Sequence, residues 1–215
     1  MKKKAIILLS DGLDSPVAAY LMMKKGFLPV FITFLTSQVD RKQMKEKVIN
    51  IVKKLSKFSD NAIKLFFIPH TDNLKQIIKN CPRKLTCILC KRLMYRIAKE
   101  IGENEEINQI VTGDILGEQA SQTLANLYSY NDIFKGFIKL CPLIGLNKLN
   151  IININKKIGV YEISSKKIQS CQSFPQYPET NAKLSEIEKA EKNLNLNKLI
   201  LVSLENKKSL IICKE

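Results

Sequence analysis

Hydrophobic residues along this chain fall into short continuous runs that alternate with segments of helical periodicity. Leu65–Ile68 is apolar at every position and Phe31–Phe34 at all but one, which is typical of strands buried on both faces of a parallel sheet. The pattern predicts strands over 4–9, 28–35, 63–69, 108–113 and 137–141, and helices over 15–25, 41–57, 72–79, 89–102, 117–128 and 148–158. This alternation favours an α/β fold, a Rossmann-like, doubly wound and mostly parallel sheet with helices on both faces.

The pattern changes after residue 160, and 164–215 is interpreted as a C-terminal extension of the same domain. Residues 164–181 are polar and contain two prolines, so they predict a loop. A helix over 182–194 and strands over 198–204 and 208–213 follow. Because 215 residues suffice for one substantial core, we expect a single domain over 1–215.

A short polar turn joins the first predicted strand to the first predicted helix. The free N–H groups of such a turn and the positive end of the next helix point to one place, which predicts an anion site. The turn has neither the Gly-Lys-Ser/Thr of a Walker loop nor the glycine spacing of a Rossmann fingerprint. It resembles the pyrophosphate loop of the ATP pyrophosphatases, S-G-G-x-D-S, and the matching residues are Ser10, Gly12, Asp14 and Ser15. An ordinary capped turn is the alternative.

Further polar residues follow other predicted strands at their carboxyl ends, where ligands of doubly wound folds bind. They include Thr36, His70 and the stretch Gly113–Thr123, whose glycines and small residues allow a ligand to approach the backbone. Asp114 and Glu118 either serve a metal or suit a helix N-terminus. For the single histidine we favour a structural or nucleotide-contacting role over catalysis.

Six cysteines in a chain that we expect to be cytoplasmic favour metal or sulfur chemistry over disulfides. Cys87 and Cys90 form a C-x-x-C pair at a helix start, where two thiolates can hold one metal or cluster. Zinc needs two more ligands and the sequence has no second pair, so an iron–sulfur cluster on three cysteines is favoured over zinc. Cys171 is the expected third ligand and Cys81 the rival; a packed, unligated pair is the alternative.

The net charge of +15 favours a polyanionic partner bound in a salt-dependent way, and lysine-rich solvated helix faces are the alternative explanation. No apolar run approaches the length of a membrane span, so we expect no membrane partner.

Four segments resemble the catalytic domain of the tRNA sulfurtransferases, the 4-thiouridine synthetase (ThiI) family. Their order and spacing match over nearly the whole chain, and the run Ala-Ser-Gln-Thr-Leu within the third segment is more specific than the loop alone. The segments are Leu9–Met23, Cys87–Glu100, Val111–Asn126 and Pro142–Ser164.

This resemblance implies an adenine nucleotide alpha hydrolase-type fold and an ATP-dependent tRNA thiolation. The C4 oxygen of a tRNA uridine would be adenylated, and sulfur from a donor would displace AMP to give 4-thiouridine. Asp14 and Cys171 would be catalytic, Mg²⁺ would screen the phosphates, and Cys87, Cys90 and Cys171 would hold the cluster. The implied ATP contacts are Ser10, Asp11, Gly12, Leu13, Asp14, Ser15, Thr33, Phe34, Leu35, Arg92, Gly113, Asp114, Glu118 and Gln122.

The chain departs from the family pattern at the loop and in extent. Asp11 replaces a glycine and adds negative charge, which weakens ATP binding unless a metal bridges it; Glu118 stands where the family usually has Gln. The resemblance starts at the catalytic domain, so we expect tRNA binding to come from the basic surface, a homodimer or a separate tRNA-binding protein. The alternatives are an enzyme that adenylates a small molecule and a degenerate, non-catalytic nucleotide- or cluster-binding subunit.

Overall fold

A computed structural model describes residues 3–37, 39–168, 171 and 173–214. The strands are β1 (Lys4–Leu8), β2 (Leu28–Leu35), β3 (Ile63–Pro69), β4 (Gln109–Val111), β5 (Ile138–Leu140) and β6 (Lys208–Ile212). The α-helices are α1 (Asp14–Lys24), α2 (Arg41–Ser56), α3 (Thr71–Asn80), α4 (Thr86–Asn104), α5 (Leu124–Tyr128), α6 (Lys148–Lys157), α7 (Tyr161–Ser164), α8 (Leu184–Glu191) and α9 (Leu196–Glu205). Short 3₁₀ helices cover Arg83–Leu85, Ala120–Gln122 and Asn131–Phe134.

The six strands form one sheet in the order β5-β4-β1-β2-β3-β6, parallel except for β6, which runs antiparallel to β3. Consecutive residues of β1 and β2 enter different apolar clusters: Ile7 and Phe31 pack on one face, and Ile6 and Ile32 on the other. Helices α1, α2 and α6 contribute to the first cluster, and α3, α4 and α8 to the second. The predicted α/β sheet with helices on both faces is therefore confirmed.

The chain order reverses beside β1, because β2 lies on one side of it and β4 on the other. Such a switch point opens a crevice beyond the carboxyl ends of the strands. The polar turn after β1 begins there, so the topology places it where a ligand can enter.

Two predicted elements are wrong. The strand predicted over 198–204 is helix α9, which turns Leu199 and Leu204 toward an apolar cluster and leaves Leu201 exposed. The helix predicted over 117–128 is interrupted, because Gly117 has a φ of 76° and only a 3₁₀ turn and the short α5 follow.

The extension 164–215 contributes α8, α9 and the edge strand β6 to this architecture. In the predicted loop over 164–181, residues 169, 170 and 172 lie outside the described residues, and the described part beyond Ser164 has neither helix nor strand. Within the described ranges, no helix is both long and apolar enough to cross a membrane.

Candidate active site

The turn after β1 is held by its two serines. Ser10 N donates to Ser15 Oγ at 2.8 Å, the two hydroxyl oxygens are 2.9 Å apart, and Gly12 N donates to Ser10 Oγ at 3.3 Å. Asn155 Nδ2 on α6 donates to Leu13 O at 2.6 Å and ties the turn to that helix. Among the described residues no side chain caps the start of α1 at Asp14, so its first N–H groups stay available to an anion.

Gly113, just after β4, lies against this turn. A Cβ atom built on Gly113 would come within 3.0 Å of Ser15 N and Cα, which are backbone atoms that cannot rotate away. The sequence analysis expects a ligand to approach the backbone here, whereas the structure places the backbone of the turn itself against Gly113.

Both carboxylates of the turn are paired with lysines that the sequence analysis did not single out. Lys148 Nζ lies 2.7 Å from Asp14 Oδ1 and 3.4 Å from Glu118 Oε1, and Lys47 Nζ lies 3.3 Å from Asp11 Oδ2. Burial lowers the pKa of Lys148, but the hydrogen bonds and negative charges of Asp14 and Glu118 together outweigh it, and the net pKa is raised. The turn's negative charge is therefore balanced by cations from α2 and α6.

Two clefts meet the turn. A basic cleft of about 650 Å³ is lined by Asp11, Gly12, Leu13, Lys47, Lys148 and 164–168. A smaller, largely apolar cleft of about 180 Å³ is lined by Leu8, Leu9, Ser10, Asp11, Ile32, Phe34, Thr36, Met44 and Met94. Of the predicted contacts on β2, Phe34 lines this smaller cleft, whereas Thr33 is buried and donates to Leu9 O at 2.8 Å, and Leu35 is buried in the core.

Asp114 lies in a buried clamp between two lysines. Its Oδ1 is 2.9 Å from Lys91 Nζ, its Oδ2 is 2.9 Å from Lys139 Nζ, and Thr112 Oγ1 donates to Oδ2 at 2.8 Å. Burial alone would raise the pKa of Asp114, but the two lysines outweigh it and hold the pKa well below its usual range. Gln122 Nε2 donates to Asp114 at 3.4 Å, while Gln122 Oε1 is buried without a hydrogen-bond partner among the described residues.

Arg92 does not face the predicted nucleotide site, which corrects the expectation from the resemblance. Its side chain is fully buried, pairs with Asp132 and Glu191 at 2.6 and 2.9 Å, and also donates to Ser129 O. All of its nitrogens donate to protein oxygens. Because a guanidinium has no further donors to offer, the structure assigns Arg92 to joining α4 and α8.

Cys87 and Cys90 lie one helical turn apart near the start of α4. Burial raises the pKa of both thiols, and the nearby Cys171 raises both further. Cys171 is thus the neighbour of the pair. Cys81 is separate, since its Sγ donates to Ala190 O at 3.4 Å beside Glu191. Within the described residues, however, no three His, Cys, Asp or Glu side chains are arranged to hold a metal ion.

His70 is fully buried, and burial lowers its pKa to about 3. Its Nδ1 lies 3.1 Å from Asn73 Nδ2 and its Nε2 lies 3.4 Å from Cys90 Sγ. Because the ring is fully buried, its structural role is favoured over the nucleotide-contacting role. The ring also lies beside the cysteine pair.

A family model described as "Thiamine biosynthesis protein (ThiI)" matches residues 1–196. A "probable tRNA sulfurtransferase" of Methanosarcina mazei is 40% identical over 209 residues, which are 96% of this chain and 51% of the relative. Another, of Caldanaerobacter subterraneus subsp. tengcongensis, is 37% identical over 204 residues, 92% of this chain and 52% of the relative. The chain spans about half the length of these curated relatives.

Among solved structures, a 4-thiouridine synthetase–RNA complex with bound ATP superposes with a TM-score of 0.91. The two sequences are 33% identical, and the match covers 98% of this chain and 55% of the other. A family model over most of the chain, together with these relatives, shows that the chain belongs to the ThiI family.

Proposed function

We propose that this chain carries the catalytic chemistry of an ATP-dependent tRNA sulfurtransferase that forms 4-thiouridine. The observation that carries this proposal is the uncapped serine-held turn, which opens into a cleft ringed by lysines. The names of the relatives and the ATP and RNA in the matched complex support the same reaction.

In this proposal the turn and the start of α1 bind the phosphates of ATP. Lys148 and Lys47 supply positive charge at the same cleft, and the Asp14 carboxylate would hold Mg²⁺ together with phosphate oxygens, the usual manner of Mg²⁺ binding. The apolar cleft beside Phe34 suits the adenine ring. The buried Gln122 Oε1 is an acceptor in need of a donor, such as the adenine amino group.

The ion pair between Asp11 and Lys47 argues against the degenerate-subunit alternative. Asp11 departs from the family's glycine, but Lys47 lies 3.3 Å from it with its ammonium buried and also donating to Lys166 O at 2.6 Å. The extra negative charge is therefore neutralised before a phosphate arrives, and the departure does not imply loss of ATP binding.

The reaction needs two displacements. The uridine C4 oxygen attacks the α-phosphate and pyrophosphate leaves, so a poor leaving oxygen becomes a good one. A sulfur nucleophile at the oxidation level of sulfide then attacks C4, and AMP leaves with that oxygen. Lysines beside the turn stabilise the charge that develops on the phosphates during the first displacement.

The finer part of the proposal is an iron–sulfur cluster on Cys87, Cys90 and Cys171. The C-x-x-C pair with a third thiol beside it is the right donor set, although the described side chains do not form a ready-made three-ligand centre. When bound, a cluster with three protein ligands would leave one iron open for the sulfur to be delivered. A sulfur donor and, through the basic surface, tRNA complete the proposed partners.

The test measures thiouridine in tRNA by mass spectrometry, and pyrophosphate release, after incubation with ATP, Mg²⁺ and sulfide. Lys148→Gln is expected to lower pyrophosphate release strongly, whereas Lys192→Gln, on an exposed position past α8, serves as the matched control. Pyrophosphate release that does not depend on tRNA would favour the small-molecule alternative. ATP binding without any turnover would favour the non-catalytic one.

A further inference from the structure

A chain of buried hydrogen bonds leads from α9 through α3 to the cysteine pair. Ser203 Oγ donates to Leu199 O at 2.7 Å, and Asn73 Nδ2 lies 2.8 Å from Ser203 Oγ. The hydroxyl proton of Ser203 is already donated to Leu199 O, so the Ser203 oxygen can only accept a hydrogen bond from Asn73. The Asn73 atom that faces it is therefore the amide nitrogen, which is the donor. The second proton of that nitrogen points to His70 Nδ1, 3.1 Å away.

This orientation determines where the imidazole proton lies. A ring nitrogen that accepts from an amide carries no proton, so the ring of His70 is neutral and protonated at Nε2. Nε2 lies 3.4 Å from Cys90 Sγ, within reach of an N–H···S hydrogen bond. Phe34 packs against the His70 ring in an edge contact, with ring centroids 5.2 Å apart.

We propose that His70 is a positioning residue for the sulfur of Cys90: it donates an Nε2–H···Sγ hydrogen bond that the Ser203–Asn73 relay orients. Its chemical consequence rests on the proposed function. A donor aimed at a ligating thiolate orients that ligand and draws electron density from it, which changes metal affinity and reduction potential. Of the proposed nucleotide contacts, Phe34 packs against the His70 ring but takes no part in these hydrogen bonds.

The hydrogen bond is tested first in metal-free protein. Since His70 is the only histidine of the chain, its ¹⁵N–¹H correlation spectrum contains one imidazole, with no assignment problem. We expect a neutral ring with the proton on Nε2, and a shift of the Nε2 signal in Cys90→Ala but not in Cys213→Ala, an exposed cysteine. A proton on Nδ1, or an Nε2 signal that does not respond to Cys90→Ala, would overturn the proposal.

The consequence is tested after anaerobic reconstitution with iron and sulfide. His70→Phe keeps an aromatic ring beside Phe34 but removes the donor, while His70→Gln places an amide N–H near the position of Nε2. We expect His70→Phe to bind iron roughly 10–100-fold more weakly, as for lost outer partners of metal ligands, and to lower the reduction potential. His70→Gln should recover most of both losses.

A purely structural histidine gives a different result. His70→Phe would then lose thermal stability while binding iron with wild-type affinity and potential, and the proposal would be wrong. Should the wild-type protein take up no iron, the cluster part of the proposed function fails, and the spectrum of the metal-free protein alone decides on the His70–Cys90 hydrogen bond. The two failures are therefore distinguishable.

Discussion

Replacing Arg92 by methionine tests whether this residue joins helices or contacts the nucleotide. Arg92 has no exposed side-chain surface and is paired with Glu191 and Asp132. Removing one partner of a buried ion pair costs roughly 3–5 kcal/mol, because a charge is left buried and unpaired. Glu191 keeps Arg96 at 2.6 Å, and Asp132 is 38% exposed, so both carboxylates retain some stabilisation. We therefore expect the free energy of unfolding to fall by the lower end of this range, about 3 kcal/mol.

The assay is unfolding monitored by circular dichroism. In a chain of this length, a loss of about 3 kcal/mol lowers Tm by roughly 6–12 °C. Arg83→Met is the matched control, since Arg83 is exposed and its side chain donates to Ser173 O over a long distance of 3.4 Å. The double variant Arg92→Met/Asp132→Asn should regain part of the loss, because the carboxylate charge that Arg92 leaves behind is then removed as well.

Nucleotide binding separates the two roles of Arg92. At a temperature where the variant is folded, ATP affinity measured by calorimetry should match that of the wild type. The reasoning is refuted if Arg92→Met unfolds like the wild type, or if it keeps its Tm while losing ATP affinity. The second result would return Arg92 to the nucleotide site that the family resemblance implies.

Three further perturbations probe the site. Gly113→Ala places a Cβ against the backbone of the turn, and a displacement of about an ångström at a catalytic site costs about 100-fold in turnover. Pyrophosphate release should therefore fall far more than in the control Gly145→Ala, because the surroundings of Gly145 are open. The lowered pKa of Asp114 gives stability that is present above its ordinary value near 3.8 and lost as pH falls below it; the difference in unfolding free energy between wild type and Asp114→Asn should therefore shrink from pH 6 to pH 3. Lys47→Met leaves Asp11 unpaired beside the phosphates, so ATP affinity should fall, and adding Asp11→Gly should restore it; no recovery would show that Lys47 acts elsewhere.

The sheet could be predicted from the sequence because its strands are buried on both faces. Runs such as Leu65–Ile68 are short and continuously apolar, which favours a buried strand over an amphipathic helix, and the observed β3 contains that run. The stretch 198–204 is apolar in a similar way, yet it folds as α9. Asn195 caps that helix by accepting from Lys198 N, and the apolar residues then divide between a packed and an exposed side. Apolar composition alone could not distinguish these outcomes.

At the site, local chemistry could be predicted and tertiary partners could not. The turn Ser10–Ser15 carries its own signal, since its hydroxyls and glycine act on each other over a few residues. Lys148 lies 134 positions away from Asp14, and nothing in the local pattern marks it among the many lysines of a chain with a net charge of +15. A similar separation, 130 positions between Asn73 and Ser203, hid the relay from Ser203 to His70.

Asp11 shows why a departure from a motif has to be judged in three dimensions. Considered along the sequence, it adds a negative charge at a phosphate site and lowers the expected affinity for ATP. In the structure, the Lys47 ammonium lies 3.3 Å away, buried and also bonded to Lys166 O, so the pair ties the turn to the opposite wall of the basic cleft. A buried lysine without its carboxylate would be unfavourable, and so would the carboxylate without its lysine. Asp11 and Lys47 therefore form one structural unit, and the role of each depends on the presence of the other.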